Sequence, residues 1–467
     1  MEKMMAIALL SSCSSLFFAV SSQAFSTRDL ADLRELRQCD RCNLREANLA
    51  NAYLRQSNLR RANLREANLN GADLQGAFLQ NADLRNADLR NANLAGANLQ
   101  NAQLEGANLE NAQLDDRTVL ATKWRLVHTL VTDGYHNQDL TEADLRGANL
   151  NGADLRNADL TGADLAEATF ESADLRGSRL AGTVATESDL FIADLRQTTL
   201  EEADFEDASL RAADLRNTTL TATNFRNADL ALAYLSEAQL NTANLRRVDL
   251  SAAVLTDANL AGANLEDSNL FVADVRGADL SNTHLDDTQL VGTDLSGATL
   301  TNTSLRGADL QGIALRDLRL QGADLSRQDL RDIDFSRSDL TGTDLSYSNL
   351  QDGNLSDTQL DNALLVGSNL RNANLSQASL TQSVLIRANL SGANLAHVDL
   401  TGADLSGADL RDANLESAVL THTNFRGADL RDAILDRASL EGIQFSDATN
   451  LCGAILPDGT VVMCPTP

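Results

Sequence analysis

Residues 140–155 read Leu140-Thr141-Glu142-Ala143-Asp144-Leu145-Arg146-Gly147-Ala148-Asn149-Leu150-Asn151-Gly152-Ala153-Asp154-Leu155. A Leu stands at every fifth position, a small residue two places before it, and Asp or Asn between them. The phase holds from Leu140 to Phe445, 62 units without a slip, and an earlier run from Leu44 to Leu114 adds 15. The central residue is Leu or Phe in nearly every unit; Ala185 and Val275 depart. The two positions that follow are mostly polar or Gly.

Period five fits neither standard element. On an α-helix five residues advance about 500°, which scatters successive leucines round all sides. On a flat strand an odd period sends each Leu to the opposite face from the last. The small residue and the Leu can both point inward in every unit only if the chain turns a corner once per unit. A few equal corners close a coil, and stacked coils bury a continuous column of Ala and Leu. The spacing therefore predicts an all-β solenoid.

The composition agrees. The chain has 467 residues, 43% of them hydrophobic, which excludes a plainly disordered chain. With 66 acidic against 38 basic residues and a net charge of −28, it lacks the basic footprint of a nucleic-acid-binding protein. Stacked backbones need every N–H, so Pro belongs outside the ladder. All three prolines, Pro457, Pro465 and Pro467, lie beyond the last repeat. Each buried Leu contributes about 1.5–3 kcal/mol by leaving water.

The chain begins with a short charged segment, an apolar run from Met4 to Val20, and Ser22-Gln23-Ala24. This is the layout of a secretory signal peptide over 1–24, with no stable membrane span once it is cleaved. A second reading takes Leu10-Ser11-Ser12-Cys13 as a lipobox that would anchor the chain at Cys13; the apolar run that continues to Val20 argues against it. Cleavage after Ala24 leaves Cys39, Cys42, Cys452 and Cys464, an even set that reads as a disulfide framework with three pairings open. No His lies near either pair to complete a zinc site.

The unit Ala-(Asp/Asn)-Leu-x-x, as in Ala72-Asp73-Leu74-Gln75-Gly76 and Ala403-Asp404-Leu405-Ser406-Gly407, resembles that of the pentapeptide-repeat proteins over 42–114 and 138–447. The resemblance implies a right-handed, four-sided parallel β-helix with four units per coil. At the ~4.8 Å between stacked strands, the arrays would be roughly 70 Å and 18 Å long. Termini so far apart favour the local pairings Cys39–Cys42 and Cys452–Cys464. The implied organisation is a signal peptide (1–24), an amino-terminal cap with the Cys pair (25–43), a first array (44–114), a helical break (115–139), a second array (140–447) and a carboxy-terminal cap (448–467).

Solenoid ends expose apolar core and strand edges, so both need covers. In front, Leu30, Leu33 and Leu36 share one side of a helix that Ser26 or Thr27 could cap. Behind, Pro457-Asp458-Gly459 reads as a turn before Val461-Val462-Met463. In the break, Trp124, Val127 and Val131 stand at helical spacing over Lys123–Thr132, with Gly134 as a stop. That helix either caps or props an array, or it binds a partner through Trp124, Arg125, Val127 and Val131.

Four units per coil would stack residues 20 apart. Asp154, Asp174, Asp194 and Asp214 then form one column, and Arg156, Arg176, Arg196 and Arg216 a neutralising one beside it. Phe205 would stack on Phe225 and Phe425 on Phe445. Thr183, Thr223, Thr283, Thr303, Thr343 and Thr423 would fill the small inward position of that same side.

The sequence offers no catalytic set, no phosphate loop, and no cofactor or metal site. His128, His136, His284, His397 and His422 are scattered, and the carboxylates belong to exposed columns. The expected function is a non-catalytic rod that binds an unidentified protein, not nucleic acid, outside the cytoplasm, as a monomer or an end-to-end oligomer. Its cysteine pairs and inserted helix look like those of exported family members in photosynthetic bacteria, which points to periplasm or thylakoid lumen. An alternative from another branch of the family is an acidic rod that mimics DNA and binds DNA gyrase; export argues against it.

Overall fold

The computed structural model describes residues 25–464 apart from Tyr135, Gln311, Gly312 and Ala314. The expected signal peptide and Cys13 lie outside the described residues. The chain divides into two compact units, Met1–Arg125 and Leu126–Pro467.

Both units are right-handed, four-sided β-helices. The residue before each central Leu forms a parallel bridge with the residue 20 further on, as in Asn43↔Asn63, Asn63↔Asp83, Asp154↔Asp174 and Asp404↔Asn424. Four five-residue sides therefore close each coil.

One unit, Asp404–Ala408, shows why the motif has its composition. The N–H of Asp404 donates to Ser383 in the preceding coil (2.9 Å), and that of Leu405 to Asn424 in the next (2.8 Å). The N–H of Gly407 also donates forward, to Arg426 (2.9 Å), and that of Ala408 closes the corner on Leu405 (3.0 Å). The remaining N–H, of Ser406, donates to the carboxylate Oδ1 of Asp404 (2.9 Å). All five amides are satisfied, which a backbone stacked on both sides requires. The position before Leu is Asp or Asn because a short side-chain oxygen reaches the amide two residues on. The same contact recurs at Asp73–Gln75, Asn149–Asn151 and Asp344–Ser346. Corners need a left-handed residue; Gly407 takes φ 68° there, and Asn or Asp fills many equivalents.

The inward columns are buried along most of their length, where Leu295 is 1% exposed and the departures Ala185 and Val275 are at 0%; at the end of the second array Phe445 is 38% exposed. Inward Thr and Ser donate to main-chain carbonyls, as Thr183 does to Leu180 (2.9 Å) and Thr343 to Leu320 (2.9 Å). The Thr column is matched elsewhere by Thr198, Thr218, Thr288 and Ser348, so it does not set its side of the coil apart. Phe205 stacks on Phe225 with centroids 5.5 Å apart. Phe425 meets Phe445 at 6.1 Å. Larger inward residues, Ile313, Gln328 and Ile333, line a crevice of about 400 Å³.

The ladder runs beyond the repeats legible in sequence. In the first unit it starts at Gln38↔Asn58, so Cys39 takes a central Leu position and is buried. At its end Asn98 pairs with Val119, 21 residues on. In the second unit Asp429 pairs with Asn450 and Ile434 with Ile455, again 21 on. One inserted residue breaks the sequence phase in each case while the ladder continues.

The amino-terminal helix α1 (Thr27–Leu36) is capped by Ser26, whose hydroxyl accepts from the N–H of Asp29 (3.2 Å). Of its three expected apolar residues only Leu33 is buried; Leu36 is 63% exposed, because α1 ends there with Arg37 in the left-handed region. Helix α2 (Thr122–Thr132) spans the division between the units. Its buried residues are Trp124, Val127 and Leu130, three apart; Val131 is only partly buried. The tail folds back at Pro457–Gly459, where Leu456 donates to Thr460 (2.8 Å) and Val461 pairs with Ile455.

Candidate interaction surfaces

The expected charge columns form. Asp154, Asp174, Asp194 and Asp214 follow one another through parallel bridges. Each is chelated by the Arg two residues later, Arg156 donating Nε (2.8 Å) and Nη2 (2.6 Å) to Asp154. Three of the four Arg also reach forward: Arg156 Nε lies 3.6 Å from Asp174, Arg176 Nε 3.5 Å from Asp194 and Arg196 Nε 3.5 Å from Asp214, while Arg216 lies over the Tyr234 ring. The column alternates in sign along its length, which offsets the like-charge repulsion. Asp409–Arg411 and Asp429–Arg431 repeat the device.

The guanidinium of Arg156 holds the Asp154 carboxyl below the usual carboxylate range, as Arg276 does for Asp274 and Arg411 for Asp409. A general acid at neutral pH needs the opposite shift. Among the described residues no three His, Cys, Asp or Glu stand together as a metal site. No described helix is long and apolar enough to cross a membrane.

Charge is divided unequally between the units. Residues 25–125 hold 14 basic and 13 acidic side chains, whereas 126–467 hold 23 and 52. The whole excess of acid therefore belongs to the second unit, where Asp is the commonest residue before the central Leu. The first unit carries Asn there more often and gathers arginines around exposed aromatics. Arg37 lies 4.8 Å over Tyr53 and Arg60 lies 4.6 Å over Phe78. Beside Tyr53 a groove of about 480 Å³ runs between Arg37, Arg55 and Arg117 over a floor of Gly76 and Gly96.

Of the candidate partner-binding residues, Trp124 is 6% exposed and Val127 is at 0%, so their side chains are core and not a free face. Arg125 turns its guanidinium back onto the carbonyl of Thr118. The cysteines are brought together as neighbours, Cys39 with Cys42 (Cα–Cα 5.2 Å) and Cys452 with Cys464 (4.6 Å), each joined through sulfur. One surface was missed: a corner carrying Phe191, Ile192, Leu232, Phe271 and Val272. Reading corner positions at intervals of 20 would have found it.

The chain matches the family described as "Pentapeptide repeats (8 copies)" over residues 42–111, 139–227, 233–271, 273–312 and 319–449. No curated protein matches it. Among solved structures it is similar to HetL, a pentapeptide repeat protein involved in heterocyst differentiation regulation from the cyanobacterium Nostoc sp. strain PCC 7120. That pair shares 28% identity, covering 70% of this chain and 93% of HetL, with a TM-score of 0.19. A pentapeptide repeat protein of the Arabidopsis thaliana thylakoid lumen is 31% identical over 23% of this chain and 71% of its own, with a TM-score of 0.18. QnrB1, a plasmid-mediated fluoroquinolone resistance protein, is 22% identical over 43% and 94%, with a TM-score of 0.21. The five-residue phase, the 20-residue ladder and the family match converge: the chain belongs to the pentapeptide-repeat family.

Proposed function

We propose that this protein is a non-catalytic scaffold that presents its long repeat surface to a protein partner outside the cytoplasm, in a periplasm or thylakoid lumen. The observation that carries this reading is the pairing of all four cysteines of the described chain near its two ends. Disulfides persist in oxidising compartments and are rare in a reducing cytosol. The carboxylates support the absence of catalysis, since those chelated by Arg are held charged and committed to structure. Fractionation of a carboxy-terminally tagged chain tests the compartment. Recovery in the periplasmic or lumenal fraction, shortened by the leader, is expected. Cytoplasmic recovery at full length with reduced thiols would refute it.

The acid excess of the second unit favours one other reading, a mimic of DNA that binds gyrase. It predicts that the purified chain inhibits gyrase supercoiling in proportion to its concentration; no inhibition at a large molar excess removes it.

A further inference from the structure

From Ala143 to Ala438 the small inward position holds Ala, Ser or Thr in all but seven units. Four of the seven, Ile313, Leu318, Gln328 and Ile333, fall within five consecutive units. Val248 and Val398 stand alone, and Gly353 lies one coil beyond Ile333, where an added Cβ would meet the Ile333 Cγ2 at 3.4 Å. Overfilling a packed core forces side chains and backbone to shift.

The ladder gives way where the large residues gather. On one side of the coil Gln289 bridges to Asp309 and Asp329 to Asn349, yet Asp309 and Asp329 form no bridge. Among the described residues the N–H of Leu310 finds no carbonyl in the next coil, and that of Asp329 none in the coil before. One coil on, the equivalent bonds are present, from Leu330 to Asn349 (2.7 Å) and from Asn349 to Gln328 (2.8 Å). On the side that follows, the N–H of Asp317 reaches Ser336 at a long 3.3 Å. Across the same step the two other sides hold: Leu305 donates to Asp324 (3.0 Å) and Leu320 to Asp339 (2.8 Å). The core opens with the ladder. Leu310 is 7% exposed, against 0–1% for the other central residues from Leu145 to Leu435. The crevice beside Ile313 and Ile333 enters at this place. Side chains patch the gap in part. Gln328 donates its Nε2 to the carbonyl of Leu305, and the Ser338 hydroxyl accepts from the N–H of Leu318 (3.1 Å) and donates to the carbonyl of Leu315 (2.7 Å).

We propose that this step is a hinge built into the second unit, at which the coils before Leu310 and those after Leu330 pivot as two stiff bodies. Its spine is the pair of sides that keep their bonds, Leu305–Leu325 and Leu320–Leu340. The sides of Leu310–Leu330 and Leu315–Phe335 open and close. Coils are held chiefly by their neighbours, so an array parts at its weakest step. The bonds lost lie on two adjacent sides, which fixes the direction of bending: the corner after Leu310 widens and the opposite corner, after Leu320, stays fixed. The fold itself does not require the large residues, since Ala serves the same position at Ala308 and Ala323. A hinge goes beyond the scaffold reading and depends on neither partner nor compartment.

Spin labels on paired cysteines of the full chain, with both disulfides intact, test it. Ser251→Cys/Gln351→Cys spans the opening corner and Asn241→Cys/Thr341→Cys the spine, each over five coil steps, about 24 Å. Pulsed electron paramagnetic resonance should give a broad or two-peaked distance distribution for the first pair and one narrow peak for the second. Hydrogen exchange should be faster at Leu310 and Asp329 than at Leu320 and Leu330. The variant Ile313→Ala/Gln328→Ala/Ile333→Ala should narrow the first distribution and slow exchange at Leu310 and Asp329 by roughly 10-fold or more. Distributions of equal width at the two corners, narrow or broad, would overturn the proposal. So would a first distribution left unchanged by the triple variant. If that variant does not fold, the two label pairs in the parent decide alone. None of these results bears on where fractionation finds the protein.

Discussion

The hydroxyl of Thr118 donates to the main-chain carbonyl of Leu94, 24 residues earlier and 3.0 Å away. Thr449 repeats the contact with Phe425, again 24 residues earlier, at 2.9 Å. Each Thr also accepts an N–H three residues back, from Asp115 and Ser446 respectively, both at 3.0 Å. The side chains of Asp115 and Ser446 in turn accept from Gly96 (2.7 Å) and Gly427 (3.1 Å). Both arrays thus close with the same five-residue turn, Asp115–Val119 and Ser446–Asn450, after their last central residues. The turn absorbs the inserted residue and lets the ladder add a final strand.

Removing either hydroxyl should loosen that closure. Thr118→Val leaves the amide of Asp115 and the carbonyl of Leu94 without a side-chain partner in a nearly buried place, which costs about 1–3 kcal/mol. Coils interact chiefly with their neighbours, so the loss should be local. Hydrogen exchange should quicken around residues 94–119 and remain unchanged in the second unit. Thr449→Val should do the converse around residues 425–450. A uniform change across the chain would contradict the closure.

The same comparison shows how far the sequence could be read. Period five declared the coil, the inward Leu and the columns, because a stacked ladder repeats one local solution. The ends could not be read that way. One residue added after Leu114 or Phe445 destroys the phase in sequence yet costs the ladder a single corner. Cys39 escaped because its type disguises a Leu position. The buried face of α2 was shifted from Val131 to Leu130 because both choices satisfy helical spacing, and packing alone distinguishes them. The apolar corner was hidden because its members stand 20 residues apart and are legible only after the coil is known.

Asp115 makes the first closure sensitive to acid, whereas Ser446 leaves the second indifferent. The N–H of Gly96, with Thr118 and Arg117, lowers the Asp115 pKa to about 2. A carboxyl depressed in the folded state contributes stability that is fully present above its unfolded value, about 3.9, and is lost as pH falls through the folded value. The first unit should therefore loosen at its end between about pH 4 and pH 2. Asp115→Ser, which copies the second closure, should remove that part of the dependence. Hydrogen exchange at Gly96 across this range measures it, and an identical profile in the variant would contradict the assignment.

The net charge of −28 follows from a geometric need for a side-chain oxygen before each Leu, which Asn meets as well as Asp. Asp344 accepts from the N–H of Ser346 at 2.9 Å and has no Arg partner in that coil. Asp344→Asn should be nearly neutral, while Asp344→Ala should cost about 1 kcal/mol by leaving the amide unpaired. Chemical denaturation of the two variants side by side decides it. Equal losses would mean that the charge matters and not the acceptor.

The two cysteine pairs should respond differently to removal, because only one of them is core. Cys452 and Cys464, 12 residues apart, tie the terminal hairpin in a partly exposed place. Loop-closure entropy for a bridge of that span is about 3 kcal/mol, felt only by the segment it closes. Cys452→Ser/Cys464→Ser should therefore free the residues after Ile455 to proteolysis while the main melting transition stays in place. Cys39 is 2% exposed and fills a central Leu position, and its loop to Cys42 is short. Cys39→Ser places a hydroxyl among apolar groups and should lower the melting temperature of the first unit. Cys39→Leu with Cys42→Ser should largely restore it by supplying the residue used in the coils above. If the Leu variant melts no higher than the Ser variant, the bridge itself and not the buried side chain holds the first coil.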